Sequence, residues 1–444
     1  CGLRSIRVRQ QNSETLDRPL GDWHHMTSRA LRYRMLRTLG LSCLTALAAC
    51  GPSPDVDGPG EAGVSPYLYV WAGAEGEGDS DFLAVLDADP ASPTYGQVLS
   101  TVPVGVRGNA HHSEHSMPSG DSLFVNSFSA GESFVIDLSD PEAPSVASSF
   151  GAIGEYTYPH TFERLPGGNV LATFQTKGEG SEAAGGLLEL TTAGGLVRAV
   201  DVADPVDPEL RAYSVTPIPR IDRAVSTTSD MWAVRTGTSF QVWRLSDLDL
   251  LRTVRLEPGP GGYEHRDPAE VRLLSDSVTA MMTTFTCALY LLRDLEGETP
   301  SAELVNALPW SSYETDECGI PATWGDIWLQ TYRHADGAWL VSFDVSDPTD
   351  PVELDRLAWD GAWWPHWISI EPGGQRVVVT SGEGETLYRV LMVRMNLETG
   401  ALDFDPSFRD PGGSEPGVLF DRTAWPHGQA GAARPHGAVF SGVR

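Results

Sequence analysis

The sequence has little basic charge. Its 444 residues contain 31 Lys and Arg against 60 Asp and Glu, which gives a formal net charge of −29 at pH 7, and Lys177 is the only lysine. A protein this acidic repels nucleic acid and anionic lipid, so we expect neither as a partner. We interpret the acidic charge as the solvated surface of an exported protein, since charge alone identifies no substrate.

Long helical patterns are also missing after residue 50. The chain instead contains 46 Gly and 32 Pro, and its Val, Thr, Tyr and Trp residues lie in short runs between turn residues. Short apolar runs bounded by Gly, Pro and Asp are typical of strands and turns. The composition therefore predicts an all-β protein, and the chain is long enough for a substantial core.

One short phrase recurs along the chain. It reads HSEHSMPSG at residues 112–120, HTFERLPGG at 160–168 and HWISIEPGG at 366–374. Each time a histidine precedes a proline by six residues, a glycine lies two residues beyond the proline, and a short apolar run follows. This order predicts a strand, a tight turn and a second strand, with the histidine near the start of the first strand.

Weaker copies of the phrase fix its period. In one copy Tyr213 takes the histidine position before Pro219, and in the next Ala269 takes this position with Glu270 beside it. We expect a further copy near Pro321-Ala322. The last copy is Arg434-Pro435-His436. The copies recur roughly every 50 residues, which is the size of a four-stranded propeller blade. We therefore predict a seven-bladed β-propeller with a metal site in its central channel.

The first residues differ from this repeating body. Residues 27–37 hold four arginines and no acid, residues 39–49 are mostly apolar and small, and Leu-Ala-Ala-Cys50 resembles a bacterial lipobox. The apolar stretch is too short to span a membrane and is typical of an export signal. The alternative is a short buried or disordered N-terminal helix.

This interpretation divides the chain into four parts. We expect a non-native upstream segment at 1–25, a lipoprotein-type signal peptide at 26–50, a flexible tether at 51–65 and the propeller at 66–444. The mature protein would be periplasmic or on the cell surface, anchored by a lipid on Cys50.

Cysteine is scarce in the propeller. Of five cysteines, Cys1, Cys43 and Cys50 precede it, so Cys287 and Cys318 alone remain. Export permits a disulfide between them, but Cys287 lies in a strand-like run where a free buried cysteine is equally ordinary. The sequence leaves both possibilities open.

The repeat predicts that histidines far apart in sequence lie close together in the fold. The first strand of each propeller blade lines the central channel, so equivalent residues of different blades converge there. A single histidine near a turn is usually structural, whereas three in one repeat position favour a site for copper, zinc, iron or nickel. The metal ligands that the repeat position predicts are His112, His160, His366 and His436.

Other residues could support this site. His111, His115, His265 and His427 lie near the candidate ligands in sequence and could replace one of them or orient them through hydrogen bonds. Tyr213 and Glu270 are candidates for proton transfer; the alternatives are a channel wall and a structural ion pair. His334 lies in a polar turn outside the repeat position and is not a candidate.

Three blocks of sequence resemble the selenium-binding protein and methanethiol oxidase family. They are YLYVW at 67–71, DFLAVLDADPASPTYG at 81–96 and AHHS at 110–113. Shorter matches follow in the family's order, CAL at 287–289, DVSDP at 344–348 and NLETGALDFDPSF at 396–408. The resemblance extends over nearly all of 67–440.

The resemblance implies a seven-bladed propeller and, for the bacterial members, a copper-dependent periplasmic oxidase. Such enzymes convert methanethiol, O₂ and water to formaldehyde, H₂S and H₂O₂. The family's channel histidines match His111, His112, His160 and, near the C-terminus, His436, so the resemblance adds His111 to the predicted metal ligands. Copper, a small thiol and O₂ are thus the implied cofactor and partners.

Two departures set this chain apart from the family. The cysteine-rich motif that precedes the family's first strand is absent, so we expect no selenium chemistry. His366 stands where better-known relatives have no histidine, which points to a divergent branch with a different metal shell or substrate.

Two other functions remain open at this stage. One is a metal-dependent hydrolase or lactonase on the same scaffold, since a propeller does not fix chemistry. The other is a noncatalytic surface lipoprotein that binds a metal or a partner. Trp363, Trp364 and Trp367 beside His366 could line a ligand mouth in any of these, although such tryptophans more often pack between blades.

Overall fold

The computed structural model describes residues 63–178, 183–207, 210–232, 236–359, 363–381 and 388–443. Every described residue belongs to one compact unit, Gly58–Arg444. The expected upstream segment, the signal peptide with Cys50 and the tether as far as residue 62 lie outside the described residues. The described part contains no helix with the length and apolar character needed to cross a membrane.

Seven antiparallel sheets make up the described chain, which confirms the predicted all-β, seven-bladed propeller. The first three strands, β1 (Tyr67–Ala74), β2 (Phe82–Asp87) and β3 (Val98–Pro103), belong to blade 7, which the C-terminal strand completes. Blade 1 contains β4 (Ala110–Ser113), β5 (Ser122–Ser127), β6 (Glu132–Asp137) and β7 (Ser145–Phe150).

Blades 2 to 4 are four-stranded meanders. Blade 2 contains β8 (Tyr156–Arg164), β9 (Val170–Lys177), β10 (Ala183–Leu190) and β11 (Leu196–Asp201). Blade 3 contains β12 (Ala212–Ile218), β13 (Arg223–Thr228), β14 (Ser239–Arg244) and β15 (Asp249–Arg255). Blade 4 contains β16 (Pro268–Leu273), β17 (Ala280–Thr284), β18 (Ala288–Arg293) and β19 (Ser301–Ala307).

The remaining blades have short accessory strands. Blade 5 contains β20 (Glu317–Cys318), β21 (Ala322–Trp324), β22 (Ile327–His334), β23 (Gly337–Asp344) and β24 (Val352–Trp359). Blade 6 contains β25 (Pro365–Ile370), β26 (Arg376–Ser381), β27 (Arg389–Met395), β28 (Leu402–Phe404) and β29 (Val418–Leu419). Blade 7 is closed by β30 (Asp421–Arg422) and β31 (Gly431–Phe440). Two single 3₁₀ turns, Phe128–Ala130 and Pro219–Ile221, follow β5 and β12.

The first strand of each blade is innermost, as the repeat predicts, except that β31 takes this place in blade 7. There β31 pairs with β1, so the last strand of the chain closes the ring on the first. The weak copy expected near Pro321-Ala322 is present as β20 and β21. Closure by strands from both ends ties the two ends of the described propeller together through backbone hydrogen bonds.

Apolar clusters between neighbouring blades form the core. All six residues of β2 are buried, because its two faces pack against different blades. The outermost strands β7 and β11 are largely exposed. Each fully buried Val, Leu or Phe side chain contributes about 1.5–3 kcal/mol relative to exposure, so these layers hold the blades in place.

The turn glycines of the repeated phrase adopt the conformation that their position requires. Gly120, Gly168 and Gly374 have φ of 104°, 91° and 78°, a region that glycine adopts readily. In the Tyr213 copy this position belongs to Ile221 in the 3₁₀ turn, and Asp222 adopts a φ of 56° instead. The phrase therefore encodes the turn between the first and second strands of a blade.

The two cysteines of the propeller form a disulfide. Cys287 precedes β18 and Cys318 lies in β20, with their Cα atoms 4.9 Å apart. The bond joins blade 4 to the innermost strand of blade 5. The structure thus selects one of the two possibilities that the sequence left open.

Candidate metal centre

Five histidines meet in the central channel. His111 and His112 lie on β4, His160 on β8, His366 on β25 and His436 on β31, and all five are buried. The ring centroids of His111 and His436, and of His112 and His160, are 4.3 Å apart. His366 joins through His436, at 4.9 Å between ring centroids. We call this set the histidine cluster.

A β-bulge brings the two adjacent histidines of β4 into the same channel. Consecutive residues of a regular strand point to opposite faces, so His111 and His112 would normally diverge. Between Ala110 and Ser113, however, the pairing of β4 with β5 shifts register. One extra residue in a strand re-aims the side chains beside it, and both imidazoles stay close, with ring centroids 4.5 Å apart.

The same irregularity recurs at the repeat position around the channel. Register shifts occur in β8 between Pro159 and Phe162, in β12 between Ala212 and Val215, and in β16 between Pro268 and Val271. Further shifts lie in β25 between Pro365 and Trp367, and where β31 pairs with Val70 and Ala72 of β1. A register shift therefore recurs at the repeated histidine position in six of the seven blades, and in blade 1 it turns two adjacent histidines toward the channel.

Burial favours the neutral form of four imidazoles of the cluster. Burial, and then repulsion from neighbouring histidines, lowers the pKa of His111, His112 and His436 well below the ordinary value of 6.5. Burial also lowers the pKa of His160 to about 3. Neutral imidazoles keep a lone pair on one ring nitrogen, which is the form that binds a metal ion.

Hydrogen bonds to protein oxygens fix the orientation of two rings. His160 donates from Nδ1 to the backbone oxygen of Tyr213 at 2.7 Å, so its Nε2 faces Nε2 of His111 at 3.1 Å. Nδ1 of His366 lies 3.0 Å from Oε1 of Glu317, a buried carboxylate that accepts a hydrogen bond from the imidazole N–H. Such acceptors set the tautomer of metal-binding histidines and raise their basicity.

Several ring nitrogens of the cluster have no protein partner. Nδ1 of His111, Nε2 of His366 and Nε2 of His436 are buried and make no hydrogen bond. Buried polar atoms without partners are uncommon and call for an explanation such as a bound ion. His111, His112 and His160 also offer ligand atoms within 4.8 Å of one another, so the chemistry and spacing of the donors suit a transition metal.

The two residues predicted for proton transfer lie beside the cluster. The hydroxyl of Tyr213 is 3.4 Å from Nε2 of His112, and its ring centroid is 4.2 Å from that of His160. Glu270 is buried, its Oε2 accepts a hydrogen bond from Arg272 at 2.9 Å, and its Oε1 has no partner. Burial raises the pKa of Glu270, although Arg272 opposes the shift.

A second polar group lies further along the channel. His115 lies 3.8 Å from Glu270 and 3.9 Å from Glu163, and Arg272 approaches its Nδ1 to 3.1 Å. Its ring stacks on Trp367 with centroids 4.4 Å apart. We call His115, Glu163, Glu270 and Arg272 the polar cluster. Because Arg272 already supplies a positive charge here, these residues are better suited to exchanging protons than to holding a second metal.

Other predicted residues do not join the site. His427 hydrogen-bonds to Thr101 and packs on Phe82, at the junction of blade 7. His265 lies in the loop before β16, and no ring contact joins it to the histidine cluster within the described ranges. Trp363 packs on Trp359 between blades, the alternative that the sequence also allowed.

Sequence reasoning missed several residues of the site. Glu317, Glu163 and Arg272 hold the histidines or line the channel, and Thr161 hydrogen-bonds to His160. Glu163 lies three residues beyond His160 in its phrase, just as His115 lies three beyond His112. That shared offset was the one signal that could have identified Glu163.

The sequence of this chain resembles those of known proteins. No family model matches the chain. It is 27% identical over 327 residues to the methanethiol oxidase of Hyphomicrobium sp., covering 66% of this chain and 70% of that protein. It is also 27% identical over 328 residues to the methanethiol oxidase of Ruegeria pomeroyi, covering 69% of each.

A solved structure supports the same relationship at the level of the fold. The hypothetical selenium-binding protein of Sulfolobus tokodaii superposes with a TM-score of 0.69 and 18% identity, covering 86% of this chain and 95% of that one. Together with the two sequence matches, this confirms the resemblance inferred from the sequence blocks at 67–113.

Proposed function

We propose that this chain, a divergent relative of the selenium-binding protein and methanethiol oxidase family, is a metal-dependent oxidase of small thiols. The observation that carries the proposal is the histidine cluster, in which buried imidazoles from four strands meet in one channel and those of His111, His366 and His436 keep ring nitrogens without a protein partner. The similarity to two methanethiol oxidases supports an oxidoreductase rather than a hydrolase or a binding protein.

The cofactor that we propose is copper. The ligands would come from His111, His112, His160, His366 and His436, since neutral imidazoles suit copper among the transition metals. When bound, copper would supply one-electron redox chemistry and would favour the thiolate form of a sulfur substrate.

The proposed reaction converts a thiol, O₂ and water to an aldehyde, H₂S and H₂O₂. Oxidation of the thiol removes the S–H proton, one C–H proton and two electrons, and O₂ takes up two electrons and two protons to become H₂O₂. Water then adds to the resulting C=S carbon, and the C–S bond breaks to release the aldehyde and H₂S. Two protons must therefore pass from the thiol to the reduced oxygen in every turnover.

The residues around the cluster are suited to handling these protons. The Tyr213 hydroxyl, 3.4 Å from Nε2 of His112, can hold or deliver a proton at the edge of the cluster. Beyond His112, the rings of His112 and His115 are 6.3 Å apart, and His115 approaches Glu270 and Glu163. Burial raises the pKa of Glu163 to about 8, so this carboxyl can release and take up a proton near neutral pH.

Apolar rings shield the cluster from bulk water. Phe285 lies parallel to His366, with ring centroids 6.2 Å apart, and makes an edge contact with Tyr213 at 5.3 Å. Trp367 contacts His112 on another side, at 5.1 Å between centroids. Limited water strengthens electrostatic interactions within the site and protects a C=S intermediate until the water that reacts with it is bound.

The experiment that tests this function measures metal content together with thiol-dependent oxygen uptake. The purified chain loaded with copper should consume O₂ on addition of methanethiol, and His160→Ala should lose metal and activity while keeping its fold. His427→Ala is the matched control, because His427 lies at blade 7 away from the cluster. Metal without oxygen uptake would overturn the oxidase, and no metal after reconstitution would overturn the metal centre.

We also propose that the protein is exported and lipid-anchored through Cys50, as the basic and apolar pattern of residues 27–49 indicates. Expression with residues 26–50 intact should give a membrane-associated chain beginning at a lipidated Cys50, detectable by mass spectrometry. Cys50→Ala should remain unprocessed. Unchanged processing and membrane association of that variant would contradict the proposal.

A further inference from the structure

Three aromatic residues from successive blades meet above the histidine cluster. Phe128 follows β5 of blade 1, Tyr158 lies in β8 of blade 2, and Trp232 follows β13 of blade 3. The ring of Trp232 lies 4.8 Å from Tyr158 and 5.2 Å from Phe128, between centroids. Trp232 therefore reaches past blade 2 to a residue of blade 1. We call these three residues the aromatic cover.

The cover extends from solvent to the candidate ligands. Trp232 is 49% exposed, whereas Phe128 is 4% exposed and lies beneath it. The ring of Phe128 contacts His160 at 5.4 Å and His111 at 5.7 Å, between centroids. Isolated exposed tryptophans are ordinary, but this one continues into a buried ring that touches two imidazoles.

The arrangement of the cover is held by specific local features. Tyr158 has a φ of 57°, a left-handed conformation that is unfavourable for a bulky residue and is often found at functional sites. The guanidinium of Arg211 lies 5.5 Å above the Trp232 ring and is paired with Asp230 at 2.9 Å. A cation over the indole face holds that ring in its position across the blades.

We infer that the aromatic cover selects the thiol by size and charge on its way to the histidine cluster. This inference rests on the proposed thiol oxidase function. Aromatic faces and edges make favourable contacts with methyl groups and with sulfur. They replace few of the hydrogen bonds that a zwitterionic amino-acid thiol makes with water, so such a thiol loses hydration on passing them. The cover thus admits short, uncharged alkanethiols and excludes amino-acid and peptide thiols.

The test compares Trp232→Ala with the wild-type protein on three thiols. The ratio of kcat/KM for butanethiol or cysteine to that for methanethiol should rise about 10-fold in Trp232→Ala, and Trp232→Phe should retain most of the selectivity. Leu196→Ala is the matched control, since Leu196 is 50% exposed on the outer strand of blade 2. An unchanged ratio in Trp232→Ala would overturn the inference.

A second measurement separates the cover from the proposed chemistry. Diethyl pyrocarbonate modifies neutral imidazoles and needs neither metal nor turnover. In the metal-free protein, the rate of modification of His111 and His112, relative to that of His427 in the same sample, should rise several-fold in Trp232→Ala. If the wild type oxidises no thiol, the oxidase fails while this ratio still decides whether the cover controls access. Equal ratios in the two proteins would show that it does not.

Discussion

The pairing of Glu317 with His366 gives a sharp prediction about metal binding. Their 3.0 Å contact holds the proton on Nδ1 of His366 and leaves Nε2 as the atom directed at the cluster. Glu317→Ala removes the acceptor, so the ring can rotate or change tautomer. Loss of such a partner weakens metal affinity by about 10–100-fold, or about 1.4–2.8 kcal/mol. Glu317→Gln keeps an oxygen acceptor and should lose less.

The fold should survive this change with reduced stability. Leaving a buried imidazole N–H without its acceptor costs about 1–3 kcal/mol, which is less than the total stability of a typical domain. Circular dichroism and the urea unfolding midpoint would establish that the variants are folded before metal affinity is compared. Glu303→Ala is a suitable control, because Glu303 pairs with Arg293 on the exposed surface.

Metal affinity would be measured by competition with a chromophoric chelator at fixed pH. A double-mutant cycle adds the decisive comparison, since Glu317 is argued to act through His366. In a His366→Ala background, Glu317→Ala should cause little further loss of affinity. Wild-type affinity in Glu317→Ala, or full additivity of the two changes, would refute the orienting role.

Two further predictions concern stability. Replacing Cys287 and Cys318 by Ser removes a cross-link between residues separated by 31 positions in sequence. The free energy of unfolding, measured by urea titration, should fall by about 3–4 kcal/mol. An unchanged unfolding midpoint would contradict this prediction. For the metal-free protein, the lowered pKa of His160, about 3, means that the unfolded chain binds a proton first as pH falls below 6.5. Protonation of His160 in the unfolded chain therefore lowers the folding stability progressively from about pH 6.5 to 3. His160→Asn should reduce this pH dependence of stability in matched denaturation curves. An identical pH dependence in the variant would contradict the prediction.

The blades could be predicted because their signals are local. The proline and glycine of each phrase set the turn dihedrals, and Gly120, Gly168 and Gly374 all have positive φ. The roughly regular spacing of the copies then gives blade size and number without any knowledge of long-range contacts. Even Tyr213 and Ala269, which replace the histidine, lie on innermost strands as their register predicts.

The details of the site depend on contacts that no local signal encodes. A bulge is defined by the register between two strands, so the sequence could not show that His111 and His112 both turn toward the channel. His427 lies close to His436 in sequence, but its ring lies at the junction of blade 7 and does not join the histidine cluster. Glu317 lies in blade 5, where the sequence no longer shows the repeated phrase and so does not predict which residues face the channel.

The channel has opposite chemical character on the two sides of the histidine cluster. Phe128 follows the end of β5, which pairs with the start of β4, so the aromatic cover lies at the end where the innermost strands begin. His115 and Glu163 lie three residues further along than His112 and His160, toward the other end. An apolar thiol and the protons of its oxidation would then use different sides of the site. Trp232→Ala should accordingly change thiol selectivity, whereas Glu163→Gln should change the pH dependence of kcat.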